Sequence, residues 1–272
     1  MKKTTKIILI IAGISVALGL VISIVAVAAG GTTIAKEVVF GWDSSEEQTL
    51  SWSKDEIKNL DLEYEAGLVE IVEGDDDVMI KVVYRGKNTI SLEGSTLTIN
   101  STEKDIVDAK GVVRIEVPSG FAFENVDIQT GATQTNIEML HAKNFELEMG
   151  AGAGNIENIT CDDMNIEIAA GEVIVEEGNT KDASIDVGMG NFEYVGKIQK
   201  DLDINCGMGN AYIELEDEET MHNYKVECGA GNISVGDTSY SGLAAVKTIE
   251  HENATSDFVL KCGMGNIEVA FE

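Results

Sequence analysis

The five residues CGMGN, Cys206 to Asn210, recur almost unchanged as CGMGN at 262–266. CGAGN stands between them at 228–232, and VGMGN precedes them at 187–191. Cysteines and glycines at fixed spacing occur in metal sites, in nucleotide-binding loops and in structural repeats. The residues on either side of the motif distinguish these three interpretations.

Apolar residues alternate with polar ones on both sides of the motif, and the phase of the alternation changes at Gly209-Asn210. The even positions are apolar before it, from Leu202 to Met208, and the odd positions are apolar after it, from Ala211 to Leu215. A period of two is typical of β-strands. A continuous strand would turn its second half outward, so the chain must bend at the motif to keep both halves in one core. We expect glycine and asparagine to form this corner through left-handed backbone angles.

The corner repeats along the chain and predicts the fold. Aligned on the asparagine, with Glu172 filling one gap, the corners follow one another at steps of 19, 17, 19, 19, 22 and 34 residues. A period near 20 predicts an all-β fold, a parallel β-solenoid or β-helix-like stack of coils of about 19–22 residues with G-x-G-N corners. The column predicted to form an amide ladder along the stack is Asn136, Asn155, Asn191, Asn210, Asn232 and Asn266.

A long apolar segment precedes the repeats. Residues 7–31 carry no charge and are long enough to span a bilayer as a helix. Lysines at positions 2, 3 and 6 predict that residues 1–6 are cytoplasmic and that the β domain lies outside the cell membrane, in a single-pass topology. A cleaved signal peptide is the alternative, because Ala26-Val27-Ala28 resembles a cleavage site, although the apolar segment exceeds the usual length.

The remaining boundaries follow from interruptions of the pattern. Residues 32–59 have no clear period and are interpreted as a juxtamembrane stalk or cap, and residues 60–272 as the solenoid. Residues 75–118 break the rhythm and contain a predicted hairpin that turns at Glu93-Gly94-Ser95. Residues 236–256 are interpreted as an inserted loop with a short helix near 244–249. The last strand, Ile267–Phe271, has no polar cap, which predicts self-association through the C-terminal end of the stack.

The cysteines of the motif are interpreted as core residues. Cys206, Cys228 and Cys262 share an inward-facing column with residues such as Val187 and Ile168, and we expect each thiol to replace a small hydrophobic side chain. A disulfide between neighbouring coils is the alternative. Cys161 lies outside this column and its role is left open.

Other chemistry finds little support in the sequence. No C-x-x-C pair or neighbouring histidine suggests zinc, and each G-x-G-N is followed by a strand where a dinucleotide site needs a helix. His141, His222 and His251 are scattered and are predicted to lie on the surface without a nucleophile partner. We therefore expect no enzyme, no catalytic residue and no cofactor. Acidic loops such as Asp75-Asp76-Asp77 could bind Ca²⁺ weakly.

The charge of the chain limits its partners. There are 48 acidic and 19 basic residues, for a net charge of -29. Such a surface repels phosphates, which argues against nucleic acid and favours cations and cationic polymers. Contact with the membrane is expected through the N-terminal helix alone.

Several stretches resemble the bacterial "putative adhesin" family, a membrane-anchored domain of unknown function. They are SKDEIKNLDLEYEAGLVEI at 53–71, RIEVPSGFAFENVDIQTGA at 114–132 and the GMGN and GAGN corners. The resemblance implies an envelope-facing, solenoid-like β domain and brings no catalytic residues with it. The expected function is that of a non-enzymatic adhesin or surface-binding protein, whose ligand would contact the 236–256 insertion or the acidic faces. An accessory protein of a cell-envelope stress response, acting through a membrane partner, is the alternative.

Overall fold

The computed structural model describes residues 47–101, 111–241 and 245–271. None of these residues belongs to a helix long and apolar enough to cross a membrane. The predicted anchor at 7–31 and its cytoplasmic flank lie outside the described residues. The chain from Ser45 onward forms one compact unit.

The described residues form twenty strands and two short 3-10 turns, Lys54–Glu56 and Glu219–Met221. In chain order the strands are β1 Gln48–Ser53, β2 Asn59–Gly74, β3 Met79–Arg85, β4 Asn88–Glu93, β5 Thr96–Ser101, β6 Val112–Pro118, β7 Ala122–Met149, β8 Ala153–Thr160, β9 Asp163–Ile168, β10 Glu172–Thr180, β11 Asp182–Val187, β12 Asn191–Ile198, β13 Leu202–Cys206, β14 Asn210–Leu215, β15 His222–Cys228, β16 Asn232–Val235, β17 Thr238–Ser241, β18 Ala245–Ile249, β19 Ser256–Cys262 and β20 Asn266–Phe271. The prediction of an all-β fold is confirmed.

The strands pair in parallel to form a stack of coils, which we call rungs. Each rung contributes one segment to a first sheet, then turns a corner and contributes a second segment to a second sheet. In spatial order the rungs of the described chain are rung 1 (96–101 and 112–118), rung 2 (59–74), rung 3 (125–141), rung 4 (144–160), rung 5 (163–180), rung 6 (182–198), rung 7 (202–215), rung 8 (256–271) and rung 9 (222–235).

The spatial order of the rungs departs from the chain order at both ends. Rung 2 is the first in sequence but lies between rungs 1 and 3. Rung 8 is the last in sequence but lies between rungs 7 and 9. The strand β20 is therefore hydrogen-bonded on both edges, and the prediction that it forms an open end of the stack is wrong.

Antiparallel strands cover both ends of the parallel stack. At rung 1, β4 pairs with β5 and β3 pairs with β6, and β1 extends the second sheet beyond β3. The predicted hairpin at Glu93-Gly94-Ser95 is confirmed as the β4–β5 turn. At rung 9, β17 pairs with β16 and β18 pairs with β15. The predicted helix near 244–249 is wrong, because β18 occupies Ala245–Ile249 as a capping strand.

The core consists of columns of apolar side chains that run the length of the stack. The central column of the first sheet contains residues that are at most 1% exposed: Ile99, Leu62, Ile128, Leu147, Ile166, Ile185, Ile204, Leu260 and Val226. The inward alternation stops at the cysteine of each motif. Met189, Met208 and Met264 were expected to continue it, but they lie at the corner and are 55–65% exposed.

Close backbone contact explains the glycines of the corner better than backbone angles do. Among the described glycines, those of the G-x-G-N corners are absent from the set with positive φ, which includes Gly67 at +129°. A Cβ on Gly209 would lie within 3.0 Å of the Gly190 carbonyl oxygen one rung away, and a Cβ on Gly265 would meet the Gly209 oxygen in the same way. The expectation of left-handed corners is therefore wrong at these positions, where glycine lets neighbouring corners stack.

The register divides the predicted asparagine column into two. Asn191, Asn210, Asn266 and Asn232 do share one column, at rungs 6 to 9. Asn136 and Asn155 belong to a second column, which they share with Ile174. This second column lies two residues further along the rung than the first. The reason lies in GAGAGN at 150–155, which contains two overlapping G-x-G motifs. The first of them forms the corner. Equivalent corner residues of rungs 4 and 5 are therefore 19 residues apart in the structure, whereas the sequence alignment placed them 17 residues apart.

Candidate binding face

The outward side of the first sheet carries a dense array of carboxylates, which we call the acidic face. It is formed by rungs 2 to 7, whose strands present three outward side chains each. The carboxylates are Asp61, Glu63, Asp127, Glu146, Glu148, Asp163, Glu167, Asp182, Asp186, Asp201 and Asp203. The period-two pattern turns these residues outward because the alternate positions are filled by the core columns.

Basic residues are absent from the outward positions of this face, which are otherwise occupied by asparagine, glutamine and serine. Within the described chain, lysine side chains approach this face only at its margins. Lys200, in the turn before rung 7, lies 3.7 Å from Asp182, and Lys261 of rung 8 lies 3.2 Å from Asp203. Most of the face therefore presents a single sign of charge.

Two shallow grooves run across the rungs on this face. One has a volume of about 560 Å³; it is walled by acids that include Glu148, Glu167 and Asp186, and floored by the corner glycines of several rungs. The other has a volume of about 620 Å³ and is lined by residues near the start of the strands, among them Asp127 and Asp163. The glycine floor follows from the stacking of the corners, because a side chain there would meet the next rung.

The carboxylates are close enough to perturb one another. The pKa of Glu148 is raised by partial burial and by the negative charges of Glu167, Glu146 and Asp127. The pKa of Asp61 is raised by burial and by the charge of Asp127. Neighbouring carboxylates thus add to the effect of burial at both positions, and a bound cation would favour the charged forms of these groups.

Two ladders of side-chain amides border the face. At the corner, Asn266 donates to Asn210 at 2.8 Å and Asn210 donates to Asn191 at 2.9 Å. At the start of the rungs, Asn144 donates to Asn125 and Asn125 donates to Asn59, at 2.6 and 2.7 Å. The second ladder was not predicted. Its signal was the 19-residue spacing of Asn125 and Asn144 just before an apolar alternation.

The cysteines of the motif form a buried column. Cys206, Cys262 and Cys228 pair in register at rungs 7, 8 and 9, they are at most 3% exposed, and all are free thiols. Burial raises the pKa of Cys206 to about 11, so its thiol stays protonated at neutral pH. The structure thus places these residues in the core. Cys161 is also buried, and its thiol lies 3.5 Å from the Thr180 hydroxyl.

One histidine, His222, lies within hydrogen-bonding distance of a serine hydroxyl. His222 is only 2% exposed; its Nδ1 lies 2.5 Å from Ser256 Oγ and its Nε2 lies 3.1 Å from Asp217 Oδ1. The prediction of a surface histidine without such a partner is wrong here, because Ser256 follows 34 residues later and meets His222 only through the pairing of rungs 8 and 9.

This cluster fastens two rungs and does not resemble an open active site. Ser256 is 5% exposed and sits 3.4 Å from the Met221 carbonyl oxygen, and the His222 ring stacks on Phe258 with centroids 4.2 Å apart. Neither groove is lined by these residues.

Metal binding by hard or borderline ligands gains no support from the described residues. They contain no group of three or more histidine, cysteine, aspartate or glutamate side chains arranged to hold a metal ion. Within Asp75-Asp76-Asp77, the carboxylate of Asp76 accepts from the backbone amides of Val78 and Met79 and closes the turn before β3.

Comparisons with known proteins place the chain in a family. Three solved structures are similar to the chain at low identity. A "putative adhesin" from Bacteroides fragilis NCTC 9343 is 13% identical, with 83% of this chain and 98% of that chain covered and a TM-score of 0.44. A "putative lipid binding protein" from Parabacteroides distasonis ATCC 8503 is 13% identical over 82% and 97%, with a TM-score of 0.45. A "putative adhesin" from the same strain is 12% identical over 83% and 98%, with a TM-score of 0.40.

No curated protein matches the chain significantly. The family match is broader: the Toastrack DUF4097 family covers residues 57–248, well over half of the chain. The match extends from just before rung 2 to the capping strand β18 and so includes the whole acidic face. The chain belongs to the Toastrack DUF4097 family.

Proposed function

We propose that this protein is a non-enzymatic, extracytoplasmic binding protein, held at the cell membrane by its N-terminal apolar segment, that binds an extended cationic polymer along the acidic face. The observation that carries the proposal is the ladder of carboxylates on rungs 2 to 7, which has no basic residue at its outward positions.

The repeat of the stack supports an extended ligand. Equivalent carboxylates on neighbouring rungs are about 4.8 Å apart, and alternate residues along one strand are about 6.6 Å apart. A polymer with a positive charge at each repeat unit would pair with several rungs in succession. Each exposed ion pair contributes only about 0.2–1 kcal/mol, so useful affinity requires many of them. The length of the face supplies that number.

The shape of the face also favours a polymer over a small molecule. The two grooves are shallow and run across the rungs, and each is lined by five or more of them. A small ligand would leave most of its surface in water there, whereas enclosed pockets bury most of a small ligand. Adhesion to a surface that displays cationic groups is the same interaction repeated over many copies.

The test compares two variants of the full-length protein that remove equal charge from opposite sheets. The first is Glu148→Gln, Glu167→Gln and Asp186→Asn, one column on rungs 4 to 6 of the acidic face. The second is Glu138→Gln, Glu157→Gln and Glu176→Gln, an exposed column on rungs 3 to 5 of the second sheet. Binding to immobilised poly-L-lysine is measured at two salt concentrations, with poly-L-glutamate as the negative control.

We expect the first variant to weaken binding to poly-L-lysine about tenfold, which corresponds to about 1.4 kcal/mol, and the second to weaken it much less. Higher salt should reduce the difference because it screens exposed charges. Equal weakening by both variants would mean that net charge alone attracts the polymer, and the acidic face would then not be the site.

A further inference from the structure

Three methionines form an exposed row at the corner of the stack. Met189, Met208 and Met264 occupy the same position of the corner on rungs 6, 7 and 8, and they are 62%, 55% and 65% exposed. The backbone amides of Met208 and Met264 donate to Gly188 and Gly207 one rung away, both at 2.7 Å, which fixes their register. Neither described groove includes them.

The fold does not require methionine at this position. The same corner is closed by Ala151 on rung 4, by Ala170 on rung 5 and by Ala230 on rung 9, with the same backbone hydrogen bonds to the neighbouring rung. A methyl group therefore suffices to build the corner. Three large apolar side chains in water on adjacent rungs lower solubility without adding to the core. The thioether sulfur is the functional group that methionine has at this position and alanine lacks.

The spacing suits one soft metal ion. Neighbouring rungs place the three Cα atoms about 4.8 Å apart, so that the middle methionine has a partner on either side. Each side chain has three rotatable bonds and is flanked by glycines, which leaves it free to turn toward the middle of the row. Thioethers are soft ligands that select Cu(I) and its heavier analogue over Zn²⁺, Ca²⁺ or Mg²⁺. The strongly negative charge of the protein attracts any cation to this surface.

We propose that Met189, Met208 and Met264 form a surface site for a single Cu(I) or Ag(I) ion, bound through three thioether sulfurs. Binding involves no change of oxidation state: the metal arrives as the monovalent ion and displaces its water or counter-ions. The site is separate from the two grooves of the acidic face, since neither is lined by these methionines and the site needs no carboxylate.

Silver is the probe of choice because Ag(I) needs no reductant. The full-length protein is labelled at its methionine methyl groups and titrated with AgNO₃ in chloride-free buffer, while methyl NMR spectra are recorded. We expect the three signals assigned to Met189, Met208 and Met264 to shift together and to saturate at one equivalent. The assignment comes from the single methionine-to-leucine variants.

Leucine replaces methionine at similar volume and keeps the surface apolar, so it removes the sulfur alone. The triple variant Met189→Leu, Met208→Leu and Met264→Leu should lose this equivalent of Ag(I). Met208→Leu should weaken binding at least about tenfold, because it removes the central ligand. Met221→Leu removes a sulfur from a 37% exposed methionine elsewhere on the surface and should bind like the parent.

The buried thiols of Cys206, Cys262 and Cys228 are the competing ligands, and the methyl spectra separate the two. Saturable uptake of Ag(I) that leaves the three methionine signals in place, or that persists in the triple variant, would assign the ion to the thiols and overturn the proposal. The same holds if the parent protein binds no Ag(I).

Discussion

At the residue scale, the glycines of the corner are distinguished by what lies opposite them on the next rung. The second glycine of G-x-G faces a carbonyl oxygen so closely that no Cβ fits, as at Gly209. The first glycine has more room, and Ala169 occupies its place on rung 5. The two positions look alike in the motif but tolerate substitution differently.

We therefore expect Gly209→Ala to destabilise the protein more than Gly207→Ala does. The added methyl of Gly209→Ala would lie within 3.0 Å of backbone and of Val187, which forces the rungs apart at a cost of about 1–3 kcal/mol. At Gly207 the nearest contact is the Gly188 oxygen at 3.0 Å. Urea unfolding of both variants measures the difference, and equal destabilisation would contradict the stacking explanation.

The buried histidine gives a second prediction at this scale. Ser256→Ala removes the partner of His222 Nδ1 inside the core and should cost about 1–3 kcal/mol, since a buried polar atom is left unpaired. Ser234→Ala, at a half-buried outward position of rung 9, is the matched control. Thermal unfolding distinguishes them. A fluorophosphonate probe should not label the parent protein at Ser256, and labelling there would argue for an open site.

At the element scale, the capping strands β17 and β18 protect the edges of rung 9. Deleting Thr238–Ile249 would expose the unpaired backbone groups of β15 and β16, which are a template for pairing with another chain. We expect this variant to form larger species than the parent in analytical ultracentrifugation. Val246→Lys keeps the cap and places a charge on its exposed edge, so it should sediment like the parent. A deletion variant that forms no larger species than the parent would show that β17 and β18 are not needed to protect the edges of rung 9.

The sequence predicts individual strands better than it predicts their neighbours. Alternating residues such as Leu202, Ile204 and Cys206 identify strand and core because only one face can be buried. The order of the rungs is hidden, since every rung presents the same apolar columns and any two would pair in register. Rung 8 lies beside rung 7 although rung 9 follows rung 7 in the chain. The Ser256–His222 contact follows from that order and was equally hidden.

Some residues of the candidate sites could be located from the sequence and others could not. The outward acids could be located from the alternation, because each strand assigns its residues to one side or the other. The methionines of the corner could not, since GMG continues the inward phase for one further residue and only the bend reveals that it ends. The overlapping G-x-G motifs at 150–154 shifted the asparagine alignment by two residues for a similar reason.

At the scale of the whole molecule, the acidic face opposes folding at neutral pH. The pKa of Glu148 is higher in the folded protein than its ordinary value of 4.5, so the folded state binds the proton more tightly than the unfolded state. The Glu148 carboxylate therefore lowers the free energy of unfolding at pH 7. This loss of stability is recovered as the pH falls through the folded-state pKa toward 4.5. Salt should recover part of it by screening.

We expect Glu148→Gln to raise the unfolding temperature at pH 7 and low salt, by an amount equivalent to about 0.2–1 kcal/mol. The gain should vanish below pH 4.5, where the glutamate of the parent is itself protonated, and should shrink in high salt. Glu157→Gln, at an exposed position of the second sheet, serves as the control for the loss of one negative charge. A gain that is independent of pH and salt would contradict charge crowding as its cause.

The insertion of rungs 2 and 8 between their neighbours has a mechanical consequence. A solenoid whose terminal coils lie at its ends can be peeled apart under tension, one row of hydrogen bonds at a time. Here a pull on the C-terminal end of the β domain acts on rung 8, which is bonded along both edges, so the load is shared by two rows in shear. A pull on the N-terminal end reaches rung 2, which is bonded in the same way, after β1 has separated from β3. A tether attached at the C-terminus of this domain would accordingly sustain force until rung 8 slides out whole.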